Sequence, residues 1–154
     1  MNQYEENLKK IIEENNIFGE YLSFTRSCHS VKEASEAANA NIKDFVKNIC
    51  LIDPNGNLLL CIVKGEDHVS ISRVEKTLNT KEIRAATAEE ILQKTGYPCG
   101  GTPSFGFNAK FIIDPKVMEK EIVYTSGGSE NSLLKISTKE LQKANNAEII
   151  RVRK

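Results

Sequence analysis

The sequence has little of what metal and redox sites are made from. It contains two histidines, His29 and His68, and neither belongs to an HExxH motif or a paired-histidine spacing. Its four cysteines occur singly, without a CxxC pair, at Cys28, Cys50, Cys61 and Cys99. This spacing argues against a zinc ribbon and a thioredoxin-like motif, and it predicts reduced thiols rather than disulfides. We therefore expect neither a metal nor a cofactor.

The sequence also lacks a net charge and a long apolar run. Because 21 Lys and Arg residues balance 21 Asp and Glu residues, the whole molecule has no attraction to a polyanion, and any nucleic-acid contact depends on a local basic patch. No apolar run approaches the roughly 20 residues of a membrane span. The N-terminus has neither the basic start nor the apolar stretch of a signal peptide. These absences predict a cytoplasmic protein with no membrane partner.

The pattern of helices and strands predicts a single α+β domain over residues 1–154. Regular βαβ repeats are absent and no GxGxxG follows the first strand, which favours a mixed sheet over a Rossmann fold. The clearest hairpin joins strands 45–53 and 58–63 through an Asn-Gly turn. Caps and periodicity predict the other elements, namely a first helix ending at 15–16, helices over 30–40, 71–78, 87–96 and 139–144, and strands over 21–24, 83–87, 111–114, 122–125, 133–136 and 149–152.

The most informative segment is residues 96–106, where four glycines and two prolines fall within eleven residues. Glycine allows positive φ and close approach of a ligand to the backbone, while proline fixes φ and removes a donor. The remaining N–H groups therefore point in fixed directions. Such donors suit a carboxylate, a phosphate or a developing oxyanion.

Lys47 is the other unusual feature, because the strand around it is almost entirely apolar. A buried ammonium is unfavourable unless it meets an anion, which makes Lys47 a candidate ligand-binding residue. The alternative is a lysine of an edge strand whose ammonium reaches water. Asn48 faces the opposite side of a regular strand and needs a bulge to share a site with Lys47.

Together these segments resemble the YbaK/prolyl-tRNA synthetase-associated (INS-type) editing domain family. The resemblance is carried in order by Lys47-Asn48, by Gly96-Tyr97 with Gly100-Gly101-Thr102-Pro103-Ser104-Phe105-Gly106, by the strand ending in Asp114, and by Ser126-Gly127-Gly128. The stretch from His29 to Ala34 also matches, with Ser30 where threonine is common in the family. The match runs from about Cys28 to Leu141 and leaves out an N-terminal helix and extended lead-in, residues 1–25.

The resemblance implies a curved, mostly antiparallel mixed sheet flanked by helices. It also implies hydrolysis, in trans, of the ester that links a wrongly attached small amino acid (Ala, Cys, Ser or Thr) to tRNA, classically tRNA for proline. The acceptor end of aminoacyl-tRNA is the implied partner, and an aminoacyl-tRNA synthetase is a candidate second one. Neither a nucleophilic triad nor a metal is implied, so a positioned water attacks the ester.

The resemblance also implies roles for particular residues. Lys47 would hold the carbonyl oxygen or the terminal phosphate, and the amides of Gly100 and Gly101 would line the aminoacyl pocket. A further set would bind substrate or form the pocket wall: Phe24, Ser30, Asn48, Pro103, Phe105, Gly106, Ser126, Gly127 and Gly128. Phe24, Ser30 and Phe105 are equally well explained as ordinary core or cap residues.

Two other functions fit the sequence. One is a binding module that keeps the fold without catalysis and serves a synthetase or tRNA, and the other is a hydrolase of a different small acyl ester, which the neutral net charge favours. The segment 129–132 also lacks the basic residues that many free-standing members carry there. Cys99 is interpreted as an inert loop thiol, because no activating partner lies near it in sequence. His29 is interpreted as a structural hydrogen-bonding residue.

Overall fold

The computed structural model describes residues 2–154, which form helices and strands in close alternation. The helices are α1 (Gln3–Glu14), α2 (Val31–Ala38), α3 (Ile71–Leu78), α4 (Ala88–Thr95), α5 (Pro115–Met118) and α6 (Thr138–Asn145), with a 3-10 turn at Ile42–Asp44. The strands are β1 (Glu20–Ser23), β2 (Val46–Ile52), β3 (Leu58–Lys64), β4 (Arg84–Ala85), β5 (Lys110–Ile113), β6 (Ile122–Ser126), β7 (Ser132–Ser137) and β8 (Glu148–Ile149). No helix of this described part is long and apolar enough to cross a bilayer.

Side-chain caps define where the helices begin. The Thr87 side chain accepts from the Glu90 N–H while the Glu90 carboxylate accepts from the Thr87 N–H, which is a full capping box on α4. Ser30 caps α2 by accepting from the Glu33 N–H, but its hydroxyl also donates to the Glu33 carboxylate, so only half of a box forms. Gly96 ends α4 in the left-handed conformation, as the sequence predicts.

The α+β class is confirmed, and most strand pairs are antiparallel. Among the described residues the strands divide into a three-stranded sheet, β1-β7-β6, and a five-stranded sheet, β4-β2-β3-β5-β8. Of the strand pairs described, β3–β5 and β5–β8 are parallel, and so is the isolated bridge between Phe45 and Tyr124. The single curved sheet expected from the sequence is thus two sheets, which are linked where Phe45 bridges Tyr124 and their rings stack 4.8 Å apart. Beyond this bridge β2 and β6 diverge, so one edge of β2 is left open.

Local details differ from the sequence prediction at three places. The β2–β3 hairpin is confirmed, but its turn places only Gly56 at positive φ and closes with the Gly56 N–H on the Asp53 carbonyl. Pro115 does not merely end β5; it begins α5, because the Asp114 side chain caps that helix. The last strand ends at Ile149 rather than 152, since the Val152 N–H donates to the Asp114 carboxylate instead of a strand.

The two sheets enclose the main apolar core. Alternate residues of β2 face different clusters: Cys50 and Ile52 join the core between the sheets, while Leu51 packs with Val74 of α3 on the other face. Leu8 of α1 is fully buried in the main core, so the N-terminal helix is packed onto the rest of the chain. A smaller cluster beneath α2 borders the open edge of β2.

Candidate functional site

A cavity of about 200 Å³ lies along the open edge of β2. Four segments line it: residues 28–31 before and in α2, residues 45–50 entering and forming β2, Cys99, Gly100 and Thr102 of the glycine-rich loop, and residues 124–126 of β6. Ala34, Ile91 and Leu133 complete its apolar side. The cavity therefore lies between the glycine-rich loop and strand β2, the two features that the sequence singles out.

The backbone of β2 contributes polar groups to this cavity. The Cys50 carbonyl accepts from the Ala86 N–H at 3.0 Å, so it points away from β3. Backbone groups alternate along an antiparallel strand, and the N–H and C=O of Asn48 therefore point away from β3 as well. Because β4 pairs only with Leu51 and Ile52, the Asn48 backbone faces the open edge.

Lys47 and Asn48 leave β2 on opposite faces. The register is uninterrupted, with Lys47 opposite Val63 and Asn48 opposite Ile62, so there is no bulge. Both residues nevertheless line the cavity, because it spans the strand edge rather than one face. Lys47 is half-buried and forms no ion pair within residues 2–154. Its ammonium is available to an anionic group.

Asn48 is held in a polar network and has no spare side-chain donor. Its Nδ2 donates to the Thr102 carbonyl and to Thr125 Oγ1, both at 2.9 Å. Its Oδ1 accepts from Ser104 Oγ at 2.7 Å, and Ser104 Oγ lies 2.7 Å from Thr125 Oγ1. The network ties β2, the glycine-rich loop and β6 together. We interpret Asn48 as positioning the cavity walls rather than contacting a ligand through its amide.

The two glycines expected to bind substrate differ in position. Gly100 lines the cavity at φ +90°, and no acceptor among the described residues takes its N–H. Gly101 is buried, and its N–H donates to the Pro98 carbonyl at 3.0 Å. A Cβ on Gly101 would lie 2.8 Å from the Ser129 backbone. The predicted substrate contact is therefore retained for the Gly100 N–H and withdrawn for that of Gly101. Gly101 instead packs against a second glycine-rich loop, residues 126–129.

The second glycine loop contributes mainly through Ser126. This residue lines the cavity at the end of β6. Gly127 and Gly128 are buried: the Gly127 N–H donates to the Ser132 carbonyl, and a Cβ on Gly128 would lie 3.0 Å from the Tyr4 carbonyl of α1. These two glycines shape the loop and its contact with α1 rather than the cavity wall.

Several predicted residues lie away from the cavity. Ser30 lines it, but Phe24 packs at the margin of the cluster beneath α2. Pro103 is buried inside the loop, and Phe105 is 1% exposed in the main core. Phe105 and Gly106 border a separate cavity beside α1 and α6. The structure thus leaves four of the predicted residues outside the cavity lining: Phe24, Pro103, Phe105 and Gly106.

The sequence did not single out the cavity's histidine and thiols as a group. His29 lines it, with Nδ1 3.4 Å from Glu130 Oε1. Cys28, Cys50 and Cys99 line it as well. Burial raises the pKa of Cys50 to about 12, with a smaller contribution from Cys99, and burial likewise raises the pKa of Cys28. The two buried thiols are therefore poor nucleophiles at neutral pH.

The chain is similar to known proteins in both sequence and fold. The family model for the aminoacyl-tRNA editing domain matches residues 25–144. The chain is 23% identical over 120 residues to the uncharacterized protein YwhH of Bacillus subtilis (strain 168), covering 77% of this chain and 76% of that protein. It is 24% identical over 92 residues to a proline–tRNA ligase of Pseudothermotoga lettingae, covering 60% of this chain but only 16% of the ligase.

The fold is shared with a solved structure described as a "putative trans-editing enzyme for prolyl tRNA synthetase". The TM-score is 0.92 at 22% identity, and the alignment covers 100% of this chain and 99% of that one. At this level of identity the likeness concerns the fold. It extends over α1, which lies outside the residues matched by the family model.

Proposed function

Because this chain belongs to the aminoacyl-tRNA editing domain family, we propose that it is a trans-editing deacylase that hydrolyses the ester of a small amino acid wrongly attached to tRNA. The observation that carries the proposal is Lys47, which has no ion-pair partner within residues 2–154 and lies at a small cavity with one polar and one apolar side. An aminoacyl ester complements both sides of the cavity. Its carbonyl and the neighbouring phosphate suit the polar side, and its small or apolar side chain suits the apolar side.

Lys47 is the proposed ligand for the ester carbonyl or the terminal phosphate. A half-buried ammonium with no partner within residues 2–154 gains a charge-assisted hydrogen bond when an oxyanion or phosphate binds. The free N–H of Gly100 is the proposed second donor to the oxyanion. No protein nucleophile is required, because an aminoacyl ester is already activated and positioning of a water supplies much of the rate.

The size of the cavity supports selection of small amino acids. A volume of about 200 Å³ is below the roughly 300–1,000 Å³ of sites for drug-sized ligands. The cavity therefore suits an aminoacyl group alone, without the nucleoside to which it is attached. Large side chains are excluded sterically, whereas one methylene among small ones changes binding by only about 1–3 kcal/mol. We therefore propose alanyl, cysteinyl, seryl and threonyl esters as the substrate class.

The tRNA for proline is the proposed carrier. Support comes from the proline–tRNA ligase match and from the likeness to the structure described as a trans-editing enzyme for prolyl tRNA synthetase. The synthetase is the proposed partner that supplies the mischarged tRNA. The acceptor end carries the ester, so it is the part of the tRNA that must reach the open edge of β2.

The test is release of labelled amino acid from tRNA for proline charged separately with alanine, cysteine, serine, threonine or proline. We expect rapid release of one or more small residues, with prolyl-tRNA spared, and loss of release in Lys47→Ala. Lys43→Ala removes an exposed lysine nearby and is the matched control. Full activity of Lys47→Ala would exclude the assigned role, and no release from any of the five would exclude this substrate class.

A hydrolase of another small acyl ester is the second candidate. It is favoured by the balanced formal charge of 21 basic and 21 acidic residues, which gives no general attraction to RNA. Turnover of aminoacyl-tRNA compared with a minimal aminoacyl-adenosine separates the two. Equal rates on both would favour the tRNA-independent hydrolase, and a strong preference for the tRNA substrate would favour the editing function.

A further inference from the structure

The carboxylate of Glu130 lies at the rim of the cavity, beside His29. Its Oε1 is 3.4 Å from His29 Nδ1, and its side chain is 55% exposed. Gly100 permits this arrangement, because a Cβ built there would lie 2.6 Å from His29 Nδ1 and 3.6 Å from Glu130 Oε1. Since His29 and Gly100 both line the cavity, the Glu130 carboxylate lies next to its lining.

The Glu130 carboxylate is also free to bind a ligand. Its contact in the described chain is the His29 imidazole, and no donor within residues 2–154 hydrogen-bonds it. Glu33 approaches the same rim, but its carboxylate already accepts the Ser30 hydroxyl at 3.1 Å. None of the described residues that line the cavity is itself Asp or Glu. Glu130 is therefore the acid best placed to meet a cation there.

An aminoacyl ester brings such a cation. Its α-amino group has a pKa near that of a free α-amino group, about 7.7–8.0, so at neutral pH the ammonium form predominates. Lys47, on the β2 side of the cavity, repels an ammonium and attracts the carbonyl or phosphate. These opposite preferences would orient the ester, with its carbonyl or phosphate toward Lys47 and its ammonium away from it.

We propose that Glu130, beside His29 at the rim, binds the α-ammonium group of the aminoacyl ester. The inference rests on the proposed function and adds a basis for specificity: the site selects aminoacyl esters over acyl esters that lack the amine. Glu130 becomes a specificity-determining residue, placed in the loop between β6 and β7 whose lack of basic residues is evident from the sequence.

The test compares an aminoacyl-tRNA with its α-hydroxy counterpart, which has nearly the same shape without the positive charge. The first substrate is the aminoacyl-tRNA that the wild type hydrolyses fastest in the release assay. The second is the same species after nitrous acid has converted its α-amine to a hydroxyl. Alanyl-tRNA and lactyl-tRNA are one such pair. We expect Glu130→Gln to raise KM for the aminoacyl ester about fivefold, as suits a half-exposed ion pair, with little change in kcat or in hydrolysis of the hydroxy ester.

Three variants make the result specific. Glu130→Asp keeps the charge and should restore part of the discrimination, while Glu148→Gln makes the same charge change at β8 and should have no effect. Equal losses on both esters in Glu130→Gln would mean a structural role and overturn the proposal. Loss of discrimination in Glu33→Gln instead would assign the ammonium to Glu33. A wild type inactive on every ester would overturn the proposed function itself, and this inference with it.

Discussion

The guanidinium of Arg153 lies 2.6 Å from the carboxylate of Asp114, which is itself 1% exposed at the end of β5. The same carboxylate accepts from the backbone N–H groups of Val152 and Arg153 and from that of Lys116. One side chain therefore caps α5 and fastens the C-terminal segment against the five-stranded sheet.

Asp114→Asn should lower the free energy of unfolding by about 2–4 kcal/mol. The amide cannot accept all of these hydrogen bonds, and it leaves the half-buried Arg153 guanidinium without its counterion. Urea unfolding followed by circular dichroism measures the change, with Glu148→Gln as a control that removes an exposed carboxylate. A midpoint equal to that of the wild type would show that the contacts contribute nothing to stability.

The stability difference between wild type and Asp114→Asn should depend on pH. Burial alone would raise the pKa of Asp114, but hydrogen bonds from Val152, Lys116 and Arg153 outweigh it and lower the pKa below its ordinary value. A lowered pKa in the folded state stabilises the fold above the unfolded value of about 3.9, and this contribution is lost as the pH falls through the folded value. The difference should thus be constant from pH 7 to 5 and shrink below about pH 4. A difference that grows on acidification would contradict the assignment.

Gly101→Ala should separate the two glycine loops. The added methyl would lie 2.8 Å from the Ser129 backbone, which cannot move aside like a flexible side chain. We expect a loss of about 1–3 kcal/mol in unfolding free energy and a large loss of deacylation. The control is Gly56→Ala at the tip of the β2–β3 hairpin, where φ is +81° and nothing lies within 4 Å. It should lose stability through backbone strain while keeping its activity.

Asn48→Asp should disrupt the polar network between β2 and the glycine-rich loop. The new carboxylate cannot donate to the Thr102 carbonyl, so two acceptors would face each other in a partly buried position. We expect destabilisation of about 2–3 kcal/mol and reduced deacylation, measured by thermal unfolding and by the tRNA assay. Asn41→Asp is the matched control, because an aspartate there still caps the 3-10 turn. Wild-type melting of Asn48→Asp would show that the network is dispensable.

Val31→Ala should widen the apolar side of the cavity. Val31 is half-buried at the start of α2, and it contributes its side chain to both the cavity and the cluster beneath α2. We expect the ratio of threonyl to alanyl ester hydrolysis to rise by about tenfold, the effect of one or two methyl groups on fit. Val69→Ala, in the cluster beside α3, is the control. An unchanged ratio would place the substrate side chain elsewhere.

Local signals predicted the elements that bring the site together. The capping residues Ser30 and Thr87, the hairpin and the C-terminal Gly96 all depend on neighbours in sequence, and the structure confirms them. The alternation along β2 likewise predicted that Lys47 and Asn48 leave the strand on opposite faces. The family resemblance placed Lys47, Gly100 and Ser126 in one set, and all three line the cavity.

Tertiary packing decided the rest. Phe105 follows the glycine-rich loop in sequence, but its large apolar side chain enters the main core rather than the cavity. The contact of His29 with Glu130 joins residues that lie far apart in sequence, so no local pattern indicates it. The Gly101 N–H donates to the Pro98 carbonyl because the loop folds back on itself there. Composition alone does not determine this acceptor.

The open edge of β2 also bears on association between chains. An unpaired strand edge is a template on which another molecule can add a strand, and long flat edges promote aggregation. Here the bridge from Phe45 to Tyr124 and the hydrogen bond from the Ala86 N–H to the Cys50 carbonyl restrict the unpaired stretch to residues 46–49. Val46 within this stretch and Cys50 at its end are only 8% and 6% exposed, so little of the edge is accessible to another chain. The gap proposed to admit a substrate therefore offers a neighbouring chain little backbone with which to pair.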